Sequence, residues 1–444
     1  MPPISTEIGQ QVIDSIAAGL NDANLPLHSP LVVAFSGGVD SSVLLQLALL
    51  YRDQYHCELH AVHIHHGLSD NADGWSKHCD LQCRINDVVY HQQRVVVDTS
   101  SRKSIEAEAR KARYHALLSA CEQIGGVLLL GQHAEDQLET VLLQLKRGAG
   151  PQGLAGMAES QWRGDTLVLR PMLNLKKTDI VSFAHSEALS WVEDESNFET
   201  SFDRNFLRND IIPDLVARWP ELAKTVSRSA LLCAEQSHLI NDTANQFLND
   251  CKLSPVRLSG DILTTLSIPW QKAVIRLWFT QQGQLAPSKA QLDELLSMLG
   301  AKQDATPEMS FKWGKIARSN GDIYWVAKPT EDIPVTLALN NHEMTYLAWL
   351  SMSVTVSLEN SDEAICLKTD MRGLKVKPEQ AGVSKELKNW FKVWRVPRWE
   401  RQGVPVIFIG DTPVAVIANR ECLYLRREDN SVKVDIRIEY CSED

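Results

Sequence analysis

Paired cysteines, a membrane-length apolar run, an excess of basic residues and an internal repeat are all missing from this sequence, and each absence removes a class of function. The nine cysteines are scattered from Cys57 to Cys441 with no C-x-x-C pair. That spacing argues against a disulfide framework and suits the reduced thiols of a cytoplasmic protein. No stretch is apolar for long enough to cross a bilayer, and the opening residues, MPPISTEIGQ, carry neither the basic flank nor the apolar centre of a secretion signal. We therefore expect no membrane partner and a cytoplasmic location. A formal net charge of −11 leaves the chain as a whole unsuited to non-specific nucleic-acid binding, although a local basic surface stays open. Neither a repeat nor a low-complexity tract is found. What remains is a chain of 444 residues, 44% hydrophobic and 23% charged, in ordinary globular proportion. That length accommodates about two to four domains with separate cores.

The most informative stretch is VVAFSGGVDSSVLLQLAL, residues 32–49. Val32 to Phe35 read as a buried strand and Ser36 to Asp40 as a turn. Ser41 begins a helix in which Val43, Leu44, Leu47 and Leu50 recur at helical spacing. Gly37 and Gly38 let the backbone approach an anion closely, while the N–H groups at the helix start and the hydroxyls of Ser36, Ser41 and Ser42 point at it. A kinase-type loop would read G-x-x-x-x-G-K-[ST]. No lysine is present here, and Asp40 stands where magnesium rather than an ammonium would offset phosphate charge.

Strand-like segments at Leu31–Phe35, Leu59–Ile64, Arg94–Val97, Val127–Leu130 and Leu167–Leu169 alternate with amphipathic stretches. The pattern predicts an α/β parallel sheet with helices on both faces, whose ligands gather at the carboxyl ends of the strands. Pro213 and Pro220 punctuate the chain where this alternation stops, and residues 221–249 read as one long helix with Leu222, Val226, Ala230 and Cys233 along a stripe. A second candidate linker is KPTEDIPV at 328–335, followed by strand-rich sequence. We expect a catalytic domain over 1–218, a mainly helical middle domain over 219–330 and a small α+β domain over 331–444.

Several segments near the strand ends could carry chemistry. HIHHGL offers His63, His65 and His66, but further metal ligands at suitable spacing are lacking. Glu106, Arg110 and Arg113 share a helix face; Glu106 and Arg110 read best as a solvated ion pair, and Arg113 as a guanidinium able to hold phosphate bidentately. In GQHAEDQLETVLLQLKRG, His133 follows a strand, Leu138, Val141, Leu142 and Leu145 form a buried stripe, and Asp136 and Glu139 lie on the other side. Acidic residues are favoured at a helix N-terminus by the macrodipole alone, but a first turn at the carboxyl edge of the sheet faces the glycine loop. Gly148, Gly150 and Gly153 spell G-x-G-x-x-G after a helix rather than a strand, so they read as a helix cap and a flexible loop, not a dinucleotide site. Arg204 and Arg208, one helical turn apart, could grip phosphate or an RNA backbone. Between Ser384 and Arg401, six basic residues face two acidic ones, a net +4 in an acidic chain. Lys388, Lys392 and Arg395 lie off the apolar stripe of Leu387, Phe391 and Trp394 there, and with Arg398 suit contact with nucleic-acid phosphates.

SGGVDSS resembles the pyrophosphate loop of the PP-loop ATP pyrophosphatases. With HHGL, ARKARY, HAEDQLET, RGAGPQGLAGM, RPML, DESN and RNFLR in order across residues 32–213, the chain resembles the tRNA(Ile)-lysidine synthetase family, and LKNWFKVWRVPRWER is similar to that family's last domain. The resemblance implies a ligase that adenylates the C2 oxygen of the wobble cytidine in an isoleucine tRNA with a CAU anticodon. Free L-lysine then displaces AMP to give lysidine. It implies ATP as substrate, held by Ser36, Gly37, Gly38, Val39, Asp40, Ser41 and Ser42 with His66 beside the adenosine, and Mg2+ on Asp40. The catalytic set becomes Asp40, Arg113, His133, Asp136, Glu139 and Arg204, and the tRNA-binding set Arg208, Lys388, Lys392, Arg395 and Arg398. Any of His133, Asp136 and Glu139 could take the proton from the lysine amine. Gln132 and Glu135 stand where the family places histidine and aspartate, so neither receives a catalytic role.

Three rivals are weaker. A cytidine thiolase would need paired cysteines, and Cys79 and Cys83 are the nearest approach to a pair. An amidotransferase-type synthetase would need an ammonia source and would leave the C-terminal basic stretch without purpose. A non-catalytic tRNA binder that retains nucleotide affinity is separated by Asp136→Asn, which leaves a binder its tRNA phenotype and costs an enzyme its modification while tRNA still binds.

Overall fold

The computed structural model describes residues 4–65, 67, 71–95, 105–193, 202–302, 305–328, 332–350, 352–359, 363–419, 421–427 and 432–440. His66 and the DESN stretch at 194–197 lie outside them. The chain forms two compact units, Met1–Ile240 and Asn241–Asp444.

In the first unit the helices are α1 (Ile4–Asp22), α2 (Val39–Tyr55), α3 (Ala72–Ile85), α4 (Ile105–Ile124), α5 (Ala134–Lys146), α6 (Pro151–Leu154), α7 (Lys177–Ser186), α8 (Asp203–Phe206) and α9 (Ile212–Arg218), and α10 (Leu222–Cys251) contains the division between the units. The strands are β1 (Leu31–Ala34), β2 (Leu59–His65), β3 (Val89–Arg94), β4 (Val127–Leu129), β5 (Ser160–Arg163) and β6 (Thr166–Leu169). They form one sheet in the order β3-β2-β1-β4-β6-β5. All neighbours pair parallel except the antiparallel β5–β6 hairpin.

Period-two alternation explains the layering. Leu31, Val33 and Phe35 pack on one face with residues of α1, α2, α3 and α7, while Val32 turns to the other face and meets Ala116, Leu117, Ala120 and Cys121 of α4. Strand order reverses beside β1, whose successor β2 lies on one side and β4 on the other. The crevice at that reversal is where such sheets hold ligands, and both the glycine loop after β1 and the segment 130–133 after β4 open into it.

Three local expectations need correction. The third strand, Val89–Arg94, starts earlier than expected, and Val96 and Val97 lie outside the described residues: it is an edge strand of exposed and half-buried residues, so it needs no apolar run. Leu145 is 55% exposed and leaves the α5 stripe, which Ala134, Leu138 and Val141 carry with the partly buried Leu142. Leu50, at the edge of the α2 stripe, is also exposed.

The second unit holds two kinds of layer. Helices Gly260–Thr265, Ile268–Gln281 and Lys289–Leu299 accompany a five-stranded sheet built from Lys252–Ser254, Arg257–Leu258, Asp322–Ala327, Gly314–Ser319 and Glu308–Ser310. Leu248, Trp278, Phe279, Leu292 and Ile316 form their core. Beyond them lie a five-stranded sheet running from Thr336–Leu339 to Glu421–Tyr424 and a three-stranded sheet of Met344–Leu347, Met352–Glu359 and Lys433–Tyr440. A short helix, Leu387–Val393, buries Leu387, Trp390 and Phe391. Among the described residues no helix is long and apolar enough to cross a membrane.

Candidate active site

The glycine loop is held from below. Gly37 has φ +87, a left-handed value that glycine adopts without cost, and a Cβ there would meet Cys79 Sγ at 3.0 Å and Val192 Cγ2 at 3.1 Å. Its carbonyl accepts the Val192 N–H at 2.9 Å. The hydroxyls hold the loop's shape: Ser41 Oγ accepts the Gly37 N–H at 3.1 Å and donates to the Gly38 carbonyl at 2.9 Å, and it lies 3.1 Å from Ser36 Oγ. Ser42 N–H returns to the Gly38 carbonyl, starting the helical ladder, so the N–H groups of Val39, Asp40 and Ser41 belong to the first turn and have no intrahelical acceptor. With the α2 macrodipole behind them they form an anion cradle. We expect Gly37→Ala to strain the loop by about 1–2 kcal/mol and to weaken ATP binding more than tenfold, measured by nucleotide titration of the folded variant.

Across the crevice, the β4 end delivers His133. Gly131 lets the two backbones approach: a Cβ there would meet the Asp40 carbonyl oxygen at 3.2 Å. His133 is 5% exposed and precedes α5, whose third residue, Asp136, accepts the His133 backbone N–H at 3.1 Å. The imidazole Nδ1–H donates to Glu135 Oε2 at 3.1 Å. Nε2 lies 3.3 Å from Asp136 Oδ2 and 3.9 Å from Asp40 Oδ2. Burial alone would lower the imidazole's pKa, but the Asp136 charge, the Glu135 hydrogen bond and Asp40 together outweigh it and hold His133 above its ordinary value.

Glu139 sits one turn further along α5 and is only 1% exposed. Arg204 Nε pairs with its Oε1, and Arg208 Nη2 pairs with its Oε2 at 2.9 Å and with Asp136 Oδ1 at 2.5 Å. Burial pushes the Glu139 carboxyl up to about 7; Arg208 pulls against that, Asp136 adds to it and Arg110 opposes it. Arg208 lies in a π-helical turn, Leu207–Ile211, that follows α8, and Thr140 Oγ1 accepts from Arg204 Nη2 at 3.3 Å. Asp40, His133, Asp136, Glu139, Arg204 and Arg208 are thus one connected charge cluster. Arg113 is exposed on α4.

Three residues escaped the sequence reading. Glu135 positions His133 and also accepts the Lys177 backbone N–H at 3.0 Å. Lys177 Nζ donates to Asp40 Oδ1 at 2.5 Å. Arg110, read as a solvated partner of Glu106, is half-buried and acts on Glu139. One signal was present: two adjacent lysines, Lys176 and Lys177, stand at the start of a helix, where the macrodipole disfavours cations. Gln132 serves the fold, its Oε1 accepting from the buried Arg170 at 2.8 Å.

In the second unit Lys388, Lys392, Arg395 and Arg398 are all exposed. Lys388 pairs with Glu386 at 2.6 Å. Arg395 does not continue the helix; its φ of 56 places it in the left-handed turn past the helix end, where its N–H bonds back to the Lys392 carbonyl.

The reversal-point crevice, the glycine loop and the acidic helix facing it define a PP-loop protein, and a family model described as the PP-loop domain matches residues 10–215. Models of the TilS substrate binding domain and the TilS substrate C-terminal domain match 258–324 and 365–429. The chain is 40% identical over 401 residues to the tRNA(Ile)-lysidine synthase of Vibrio parahaemolyticus serotype O3:K6, covering 88% of this chain and 91% of that protein. It is 37% identical over 408 residues to that of Histophilus somni, covering 87% and 94%. The chain belongs to the tRNA(Ile)-lysidine synthase family. Among solved structures, the U34-tRNA thiolase NcsA from Methanococcus maripaludis, with its 4Fe–4S cluster, is 14% identical with a TM-score of 0.44, covering 50% of this chain and 78% of that one. That likeness is too distant to bear on substrate or chemistry.

Proposed function

We propose that the protein is an ATP-dependent ligase that joins free L-lysine to C2 of the wobble cytidine in an isoleucine tRNA with a CAU anticodon, forming a C–N bond through an adenylated intermediate. The observation that carries this reading is the facing of two built halves within one unit: an anion cradle at the start of α2 and a carboxylate and arginine cluster on α5 and its neighbours, linked through Asp40, His133 and Asp136.

In the first step the cytidine O2 forms a bond to the α-phosphorus of ATP, and the bond to the leaving pyrophosphate breaks. Ser36, Gly37, Gly38, Val39, Ser41 and Ser42 hold the pyrophosphate through N–H and hydroxyl groups. Arg113, with Arg204 from its place on Glu139, offsets charge as the bond breaks, and the charges around His133 favour its protonated form there. Among the described residues no three His, Cys, Asp or Glu side chains gather as a metal cage. Asp40 alone fits magnesium in the manner usual for that ion, held by one or two carboxylates together with substrate phosphates. Bound there, Mg2+ would neutralise phosphate charge.

In the second step the lysine ε-amine bonds to C2 as the C2–O bond to AMP breaks. A lysine amine is protonated at neutral pH and must first lose a proton. Asp136 suits that role best: the charges around His133 favour its protonated form, Glu139 is closed in by two arginines, and the Asp136 side chain is 16% exposed. Lys388, Lys392, Arg395 and Arg398 meet tRNA phosphates, and Arg208, 41% exposed beside its two carboxylates, contributes from the catalytic unit. A three-domain working division at 1–218, 219–330 and 331–444 is part of this proposal, as are a cytoplasmic setting and a role for His66 beside the adenosine.

The test follows labelled ATP. AMP and pyrophosphate should form only when an isoleucine tRNA with a CAU anticodon is present, and AMP should leave that tRNA only when L-lysine is added. Turnover with lysine but without tRNA would contradict the proposal. For the thiolase alternative, Cys79 and Cys83 are buried and burial pushes each thiol up to about 12, leaving neither poised to carry sulfur.

A further inference from the structure

The loop lacks the lysine of kinase-type phosphate loops, and the fold brings one to it from another element. Lys177 is the first residue of α7. Its Nζ meets Asp40 Oδ1 at 2.5 Å, and its backbone N–H donates to Glu135 Oε2 at 3.0 Å. The same Glu135 oxygen accepts His133 Nδ1–H at 3.1 Å, so one carboxylate fixes both the lysine backbone and the imidazole. A lysine here opposes the α7 macrodipole, which makes it a poor choice for helix stability alone. Its neighbour Lys176 has a separate partner, Glu221, at 2.6 Å.

Charge balance narrows what Lys177 can do. Asp40, Glu135, Asp136 and Glu139 face four basic side chains, Lys177, His133, Arg204 and Arg208. Within this group each basic side chain already has a carboxylate, so one of them can meet an arriving polyphosphate only by changing partner. Arg204 and Arg208 are committed to the buried Glu139, and His133 is itself buried. Lys177 is different: its side chain is 37% exposed and pairs with the 32% exposed Asp40, and its stem is flexible.

We propose that Lys177 is the polyphosphate lysine of this site: when ATP enters, its ammonium exchanges Asp40 for an oxygen of the pyrophosphate moiety, leaving the Asp40 carboxylate to the cation that accompanies ATP. This rests on the ATP reading above and adds a substrate-binding residue to it. Lys177 thereby supplies from α7 the charge that kinase-type loops carry within the loop itself.

The test is calorimetric titration of the full chain with inorganic pyrophosphate, ATP and AMP in excess magnesium. Lys177→Gln should bind pyrophosphate and ATP at least tenfold more weakly while AMP affinity stays within twofold of wild type, which also certifies the fold. Lys177→Arg should recover part of the loss. The loss should persist in an Asp40→Asn background, because the contact is to phosphate and not merely a screen for Asp40. Pyrophosphate affinity within twofold of wild type in Lys177→Gln, or a loss that vanishes in the Asp40→Asn background, would overturn the proposal. If the wild-type protein binds neither pyrophosphate nor ATP, the ATP reading itself fails.

Discussion

Asp136→Asn should bind tRNA as the wild type does and lose modification by about 10²–10⁴-fold, the range for removing a positioned proton-transfer group. The asparagine carbonyl can still accept the His133 backbone N–H that Asp136 Oδ2 accepts at 3.1 Å, so the start of α5 is kept. What disappears is the charge. Asp136 is the largest influence holding His133 above its ordinary value against burial, and it carries Arg208 at 2.5 Å. The imidazole should therefore titrate lower in the variant, and the amine of lysine should lose its acceptor. Single-turnover assays separate the two losses: AMP transfer to tRNA reports the first step, and its lysine-dependent release reports the second. Equal tRNA binding with unchanged modification would remove Asp136 from the mechanism.

Glu139→Gln should cost activity far more than stability. The carboxylate is the shared partner of Arg204 and Arg208 and is 1% exposed, so the variant leaves guanidinium charge facing a neutral amide. The stability cost should be small, because burial already favours the neutral form that the amide imitates and Arg208 retains Asp136. The pH dependence has a definite sign. The Glu139 carboxyl is raised from 4.5 to about 7, so between those values the folded chain holds a proton that the unfolded chain has released. Its contribution to stability is complete below pH 4.5 and drains away as the pH rises to about 7. His133, also raised, adds the same trend from its ordinary 6.5 upward. Unfolding of the full chain across this range should show the wild type losing stability with rising pH more steeply than Glu139→Gln. Parallel slopes would mean that Glu139 does not titrate there.

The loop and its two flanking elements were legible because three local signals agree at one place: a buried apolar strand, two glycines and a helix with apolar residues at helical spacing. His133, Asp136 and Glu139 were legible for a similar reason, since a strand end, a cap and a first helical turn follow in order. The third strand is hard to place from sequence because an edge strand can carry polar residues on both faces, as YHQQR does, and the apolar triplet VVV follows it. Lys177 was invisible for a different reason. Its partner Asp40 is 137 residues away in sequence, and no local pattern encodes a pairing made by the sheet's strand order. Glu135 was set aside as a departure from the family's motif, yet the fold gives it the task of holding both His133 and Lys177. The small sheet of the second unit escaped because its strands are two to six residues long and interrupted by helices.

The central claim is that ATP and lysine are spent together on one cytidine. The most direct measurement incubates the purified protein with ATP, magnesium, L-lysine and unmodified isoleucine tRNA bearing a CAU anticodon, then digests the tRNA and weighs its nucleosides by mass spectrometry. The account predicts a new lysine-bearing cytidine that requires both ATP and lysine. AMP formation without any lysine-bearing nucleoside would contradict the lysine assignment while leaving the loop chemistry standing.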